Sequence, residues 1–153
     1  MTENARIAYK WINRNYHKEK EINALKIKLV KLETDINNCV RALAKSEIQT
    51  SHASNAQEVR LAEYADLKNE INKRIVELSA ADKTVIKVIA LLENSQERVI
   101  LLERYINRKS WRRIYNGMYI SKSTSFRLHE SALDNLYHVI PQGDLLEVTE
   151  NDT

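Results

Sequence analysis

The first regular pattern in this 153-residue chain is a stripe of apolar residues between positions 21 and 45. Its members follow one another at alternating intervals of three and four: Ile22, Leu25, Leu29, Leu32, Ile36, Cys39 and Leu43. Such spacing places apolar side chains along one side of a helix, as in a coiled-coil seam. A helix of about 25 residues is ~37 Å long. The stripe therefore predicts a long helix that packs along its length against a second helix.

A second apolar stripe follows after an interruption. Residues 49–57, with the sequence QTSHASNAQ, lack large apolar side chains and indicate a connection. The stripe then continues through Tyr64, Leu67, Ile71, Ile75, Leu78, Val85, Ile89 and Leu92. Two stripes on either side of one connection predict a long antiparallel helical hairpin over residues 21–93. Since two paired helices leave their outer faces uncovered, we expect self-association as a homodimer or packing of the hairpin on the C-terminal part. A coiled coil between chains is the alternative to the hairpin.

Helix-capping signals divide the next part of the chain into three shorter helices. The candidate N-caps are Asn94, Ser110 and Ser121. Glu97, three residues after the first of them, completes the spacing of a capping box. Pro141 and Gly143 are expected to end the last helix. The last two helices are joined by only a few residues, which is typical of a helix-turn-helix, here over residues 94–140.

The composition favours the same fold class. The chain contains only 2 Gly and 1 Pro, and no segment alternates as a strand would. The predicted fold is all-α, a long antiparallel helical hairpin followed by a C-terminal three-helix helix-turn-helix domain. Residues 1–20 are polar and basic and predict a surface helix, with a secondary contact to nucleic acid as the alternative. Residues 141–153 are acidic and predict a disordered tail.

Charge is unevenly distributed along the chain, although the formal net charge is only +3. Between Arg104 and His129 there are seven Lys or Arg residues and no Asp or Glu, whereas four acidic and no basic residues follow Pro141. For any single cation, solvation of a helix face is the simpler interpretation. As a set inside a predicted helix-turn-helix, these cations indicate an anionic partner, double-stranded DNA.

The helix-turn-helix assigns roles within this basic segment. Its second helix would present its N-terminal half to the major groove, while the preceding helix lies over the phosphate backbone. The candidate DNA-binding residues are Lys109, Arg112, Arg113, Ser121, Lys122, Ser123, Thr124, Ser125, Phe126 and Arg127. Arg127 is expected on a guanine or a phosphate, and Phe126 on a thymine methyl or packed on the preceding helix. Trp111 is expected to anchor that helix in the core.

The segment RYINRKSWRRIYNGMYISKSTSFRLHESALDNL resembles the helix-turn-helix of the sigma-70 region 4 type. It is most similar to late transcription regulators of phages and prophages of the ArpU and RinA type. The matching residues are Arg104, Tyr105, Ser110, Trp111, Ile114, Ser121, Arg127, Leu128, His129, Ala132, Leu133 and Leu136. The resemblance is specific over residues 100–136. It implies a sequence-specific DNA-binding regulator, an activator of late genes that acts beside host RNA polymerase.

Three positions depart from the pattern of that family. It has a small residue, a Gly and an apolar residue where this chain has Tyr115, Tyr119 and Ser125. A Gly at the second position allows a left-handed backbone in the turn. We therefore expect either a strained turn at Tyr119 or a turn displaced toward Gly117, together with one inward apolar contact fewer at Ser125.

Other functional classes find little support in the residues. The single Cys39 excludes an internal disulfide and a Cys-based zinc site, and the four histidines have no ligand spacing. No constellation of residues indicates an enzyme, a cofactor, a metal or a small-molecule substrate. No apolar run approaches the roughly 20 residues of a membrane span, and the N-terminus lacks the apolar core of a signal peptide. We expect no membrane partner and a location in the bacterial cytoplasm.

Two alternative functions keep the same architecture. One is a small terminase subunit, which also joins a helix-turn-helix to an oligomerising hairpin but usually places the DNA-binding part first. The other is a protein-interaction module that uses the basic face to inhibit a host nucleic-acid enzyme. The departures at Tyr119 and Ser125 keep the second alternative open.

Overall fold

The computed structural model describes residues 1–45 and 51–150, with the backbone alone for residues 51–54. These residues form seven α-helices and one short π-helix, and they contain no strand. The helices are α1 (Glu3–Asn13), α2 (Tyr16–Lys45), α3 (Ser51–Ile89), α4 (Ser95–Leu101), the π-helix (Leu102–Ile106), α5 (Trp111–Gly117), α6 (Lys122–Val139) and α7 (Gln142–Glu150). The prediction of an all-α fold is confirmed.

Residues 16–79 form one compact unit, in which α2 pairs with most of α3. Arg74 Nη1 donates to Glu21 Oε2 at 3.0 Å, and Arg60 Nη1 donates to Cys39 Sγ at 2.6 Å. The start of α2 thus faces the later part of α3, so the two helices run antiparallel within one chain. Among the residues of this unit whose side chains are described, the buried apolar ones are Ile22, Ile36 and Ile71. The predicted hairpin is confirmed.

The connection inside the hairpin is shorter than predicted. α3 begins at Ser51, so residues 51–57 are helical, while positions 49 and 50 lie outside the described residues. The helical part contains neither Gly nor Pro, and two of its residues are Ala. Its Ser, His and Asn each disfavour a helix by only about 0.5 kcal/mol. Extending a helix that already exists avoids the cost of nucleation, so these polar residues are tolerated.

A second compact unit combines Met1–Asn15 with Ala80–Thr153. Its core consists of Ala5, Ala8, Trp11, Ile12, Val85, Val88, Ile89, Leu92, Ile100, Leu101, Tyr105, Ile114, Ala132, Leu133, Leu136 and Ile140. This differs from the predicted division at residues 1–20, 21–93, 94–140 and 141–153. The N-terminal helix and the end of α3 share one core with the helix-turn-helix, because each contributes an apolar face to it.

The N-terminal helix is part of this core and not the predicted surface helix. Ala5, Ala8 and Trp11 of α1 are 0% exposed. Thr2 caps the helix, since its Oγ1 accepts a hydrogen bond from the Ala5 amide at 3.1 Å. Small alanines close to a Trp form a narrow apolar face, and α1 packs with it on α6 and α7. Arg6 and Lys10 of α1 are exposed.

The acidic segment also differs from the prediction, because its described residues form α7 rather than a disordered tail. α6 ends at Val139 as predicted, but Pro141 then starts a new helix that includes Gly143. The Pro141 carbonyl accepts from the amides of Asp144 and Leu145 at 3.0 and 3.2 Å. Proline suits the start of a helix because the amide it lacks would have no partner there.

A polar contact fastens α7 to α1 in this unit. Asp144 Oδ2 accepts hydrogen bonds from Trp11 Nε1 at 2.9 Å and from Arg14 Nη1 at 3.3 Å. One carboxylate thus gives the buried indole N–H its partner and neutralises a basic residue of the N-terminal segment. Both charges of this contact had been assigned to solvent by the sequence pattern.

Candidate nucleic-acid interface

The first helix of the helix-turn-helix domain is fastened to the last by a buried carboxylate. Asn94 caps α4 as predicted, because its Oδ1 accepts from the amides of Gln96 and Glu97 at 2.9 and 3.4 Å. The Glu97 side chain does not complete the predicted capping box. It is 4% exposed and accepts from Ser131 Oγ at 2.8 Å and from Asn135 Nδ2 at 3.0 Å. These bonds fix α6 against α4.

A π-helix leads from α4 toward α5. The Asn107 amide donates to the Leu102 carbonyl at 2.9 Å, and the Lys109 amide donates to the Glu103 carbonyl at 3.0 Å. Between them Arg108 adopts a left-handed backbone with φ of 53°. Its side chain reaches α1, where Nη1 donates to Asn13 Oδ1 at 3.2 Å. The strained backbone at Arg108 is thus accompanied by a tertiary hydrogen bond.

Two further cations of the basic segment also have partners inside the chain. Lys109 Nζ forms an ion pair with Glu103 Oε2. The hydrogen bond from Lys109 lowers the pKa of the Glu103 carboxyl, and a second hydrogen bond from Asn107 Nδ2 lowers it further. Arg104 Nη1 donates to the Lys109 carbonyl at 3.1 Å, and its guanidinium lies 5.1 Å from the centre of the Trp111 ring. Arg104 and Lys109 therefore stabilise the junction before α5.

The helix α5 is short and begins at the predicted cap. Ser110 occupies the N-cap position, but its side chain makes no capping hydrogen bond. Ile114 is buried at 1% exposure, and Trp111 packs against the core while remaining half-buried. The inward positions of α5 are therefore those expected from the sequence. Arg112 and Arg113 lie on its exposed side.

The turn after α5 is a Schellman motif that places a tyrosine in the left-handed position. The Ile120 amide donates to the Tyr115 carbonyl at 3.1 Å, and the Tyr119 amide donates to the Asn116 carbonyl at 3.2 Å. This pair of bonds ends many helices, and glycine usually occupies the left-handed residue. Here Tyr119 has φ of 57°, while Gly117 has no positive φ. The expectation of a strained turn is correct, and the alternative displaced toward Gly117 is wrong.

The side chain of Tyr119 does not offset this strain by packing. A left-handed backbone is disfavoured by roughly 1–2 kcal/mol for a residue with a Cβ. The Tyr119 side chain is 95% exposed. Its ring therefore buries almost no apolar surface in return. Tyr119 was not among the candidate DNA-binding residues, although its departure from glycine was a signal that could have added it.

Ser121 caps the start of α6 as predicted. Its Oγ accepts from the Thr124 amide at 3.1 Å and lies 2.8 Å from Thr124 Oγ1 and 3.2 Å from Ser123 Oγ. Ser121 and Ser123 are exposed, while Thr124 is half-buried. The hydroxyl groups at this helix start are thus partly engaged with one another. They remain at the surface beside Lys122.

One candidate DNA-binding residue is buried, which corrects the prediction. Ser125 is 0% exposed, and its Oγ donates to the Lys122 carbonyl at 2.6 Å. The buried side of α6 follows Ser125, His129, Ala132, Leu133 and Leu136. This burial agrees with the inward position that the family pattern gives to residue 125, and it excludes Ser125 from the candidate contacts. Ser125 cannot contact DNA in this structure.

Aromatic rings join the start of α5 to α6. Trp111 and Phe126 lie 4.8 Å apart between ring centres, and Trp111 and His129 also lie 4.8 Å apart with nearly perpendicular rings. Phe126 therefore packs on the preceding helix, one of its two predicted roles, yet it remains 40% exposed. This packing brings the first turns of α5 and α6 together. The exposed residues of both helix starts consequently belong to one surface.

The histidine of this cluster is held in its neutral form. Tyr105 Oη and His129 Nε2 lie 2.8 Å apart, and the two rings stack with centres 5.8 Å apart. Burial, and then the charge of Arg104, lower the pKa of His129 to about 4. Burial also raises the pKa of Tyr105. The pair is a buried polar contact between the π-helix and α6.

Four of the seven cations in the basic segment remain for an outside partner. They are Arg112, Arg113, Lys122 and Arg127. All four are exposed, and within residues 1–45 and 55–150 none has an acidic partner in an ion pair. Lys122 Nζ lies 6.0 Å from the centre of the Phe126 ring. These residues, with Ser121, Ser123 and Phe126, are called the basic face below. It lies at the starts of α5 and α6.

The chain belongs to the family described as "Protein of unknown function (DUF1492)", whose pattern it matches over residues 40–137. The match spans more than half of the chain and includes α3 to α5 and nearly all of α6. No curated protein and no solved structure matches it. Among the described residues no helix is long and apolar enough to cross a membrane, and no group of His, Cys, Asp and Glu could hold a metal ion.

Proposed function

We propose that this protein is a sequence-specific, double-stranded DNA-binding transcription regulator of phage or prophage origin. In this proposal α6 enters the major groove, and α5 lies over the phosphate backbone. The basic face is the contact surface. The protein acts in the bacterial cytoplasm without a cofactor and without enzymatic activity.

The observation that carries this proposal is the division of the cations. Arg104, Arg108 and Lys109 have partners within the chain, whereas the four cations of the basic face have no acidic neighbour in an ion pair. The Trp111–Phe126 contact joins the two helices that carry these like charges, and a group of cations without acidic partners favours an anionic partner. Two of these cations, Lys122 and Arg127, belong to the N-terminal part of α6, the helix proposed to enter the major groove, and the other two belong to α5.

The target genes and the role of activator rest on the resemblance to the ArpU and RinA type regulators. In that reading the protein acts beside host RNA polymerase at a late promoter. We also propose that the hairpin of α2 and α3 joins two copies into a homodimer. Exposed apolar residues on the hairpin, including Ile27, Val30 and Val76, support this second proposal.

The test is selection of bound sequences from random duplex DNA, followed by titration of the selected duplex at several salt concentrations. We expect log–log salt dependence with roughly one unit of slope for each phosphate contact. Replacing Arg112, Arg113 and Arg127 together with Ala should lower affinity at least about tenfold and reduce the slope, because fewer counterions are released.

The matched control is Arg41→Ala, which removes one exposed arginine from α2 of the hairpin. It should leave both affinity and salt slope unchanged. Far-ultraviolet circular dichroism should show equal helicity in all variants. If the wild-type protein ignores duplex DNA at low salt, the proposed function is wrong and the basic face serves a protein partner. A ring of many subunits in solution would instead support the small terminase alternative.

A further inference from the structure

Two residues of the described chain other than glycine have a left-handed backbone, and they differ in what their side chains do. Arg108, with φ of 53°, donates a hydrogen bond to Asn13 on α1. Tyr119, with φ of 57°, is 95% exposed. Backbone strain persists where other interactions maintain it, and it often marks a functional residue. The hydrogen bond to Asn13 helps to maintain the strained backbone of Arg108. The side chain of Tyr119 makes no comparable contact, because it is almost fully exposed.

The backbone around Tyr119 is nevertheless well ordered by hydrogen bonds. The two bonds of the Schellman motif hold the residues from Tyr115 to Ile120, and the Ser121 cap fixes the next residues. The phenol is therefore presented to solvent from a rigid turn, two residues before the N-cap of α6. A tyrosine side chain has only two χ angles, so it loses little conformational entropy when it binds.

We infer that Tyr119 is a DNA-contact residue, whose phenol hydroxyl donates a hydrogen bond to a backbone phosphate at the edge of the groove that α6 enters. This inference rests on the proposed function and adds a residue to its contact surface. The position supports a phosphate rather than a base, because the turn precedes the helix that enters the groove. A tyrosine hydroxyl is a common donor to phosphate oxygens.

The chemistry of this contact distinguishes it from the contacts of the arginines. A phenol hydroxyl carries no charge, so it releases no counterion when it binds a phosphate. Its loss should therefore weaken binding without changing the salt slope. Because a phosphate contact carries no sequence information directly, its loss should weaken binding to all sequences by a similar factor.

The experiment compares Tyr119→Gly and Tyr119→Phe with the wild-type protein on the selected duplex. Glycine relieves the left-handed strain, so the Tm of Tyr119→Gly should rise by about 2–4 °C. Its affinity should nevertheless fall about two- to tenfold, as expected for one lost hydrogen bond. Tyr119→Phe keeps the strain and loses only the hydroxyl. It should keep the wild-type Tm and show a similar loss of affinity.

The control Tyr64→Phe removes a phenol hydroxyl from α3 of the hairpin. It should change neither the Tm nor the affinity for the duplex. If Tyr119→Gly is stabilised yet binds as tightly as wild type, the inference is wrong while the proposed function stands. If Tyr119→Gly has a lower Tm, the tyrosine has a structural role and the inference is also wrong. Wild-type protein that fails to bind DNA would contradict the proposed function and the inference together. Weakened binding of both Tyr119 variants with an unchanged salt slope would support the inference.

Discussion

The two compact units bury their apolar side chains to very different extents. In the described part of the unit of residues 1–15 and 80–153, sixteen buried apolar residues form one cluster. In the described part of residues 16–79, the buried apolar residues are Ile22, Ile36 and Ile71, while Ile27 and Val30 are 61% exposed. Two paired helices cover each other along one seam, whereas several helices around a common core enclose a side chain on most sides.

This difference indicates that the units are stabilised in different ways. The helix-turn-helix unit depends on close packing, so single truncations in its core should be strongly destabilising. The hairpin depends on a partly exposed seam and on contacts such as the Arg74–Glu21 ion pair, and exposed ion pairs contribute only about 0–1 kcal/mol. The unit that carries the basic face therefore has the more rigid scaffold.

The largest expected effect is that of Trp11→Ala in the better packed unit. This substitution removes a fully buried ring and the hydrogen bond to Asp144. The free energy of unfolding should fall by about 3–5 kcal/mol. Urea unfolding curves, recorded by circular dichroism, measure this change in free energy.

The matched control for this substitution is Trp111→Ala, since Trp111 is only half-buried at the edge of the same core. Its effect should be smaller than that of Trp11→Ala. Nearly equal stability of Trp11→Ala and wild type would mean that the N-terminal helix does not share the core of the helix-turn-helix.

A smaller effect is expected from acid, again in the unit with the buried cluster. The pKa of His129 is about 4 in the folded chain, against 6.5 as the ordinary value. Between these pH values the unfolded chain binds more protons, so stability falls as the pH falls from 6.5 toward 4. The loss should be about 2–3 kcal/mol, measured as the urea midpoint at each pH.

Replacing His129 with Gln separates this effect from the titration of other groups. The variant should lose that part of the pH dependence, because no imidazole remains to bind a proton. An unchanged slope of stability against pH in the variant would show that His129 is not the responsible group.

The smallest expected effect concerns the hairpin, the less buried of the two units. If the hairpin pairs two copies, each tenfold rise in protein concentration adds about 1.4 kcal/mol to the stability of the dimer. Hydrogen exchange should then show α2 amides more protected at higher concentration. Sedimentation that finds monomers at every concentration would exclude this dimer.

Features that depend on a few neighbouring residues could be predicted from the sequence. The heptad spacing of α2, the caps at Asn94 and Ser121, and the end of α6 at Val139 were all placed correctly. Each results from side chains acting on the backbone within one or two helical turns, and such short-range interactions are visible in the order of residues. The left-handed turn at Tyr119 was one of two alternatives, and it rested on the resemblance to a family that has Gly at this position.

Features that depend on which surfaces meet required the tertiary structure. Ser125 was a candidate DNA-binding residue, and the packing of α6 on α4 and α5 buries it instead. The same holds for Asp144, whose partners Trp11 and Arg14 lie more than a hundred residues away in the chain. The sequence determined the main helices from α2 to α6, the caps at Asn94 and Ser121 and the presence of a basic segment. Tertiary contacts decided that Arg108 reaches Asn13 on α1 and that Asp144 binds Trp11 and Arg14, because contacts between distant residues depend on how the helices pack.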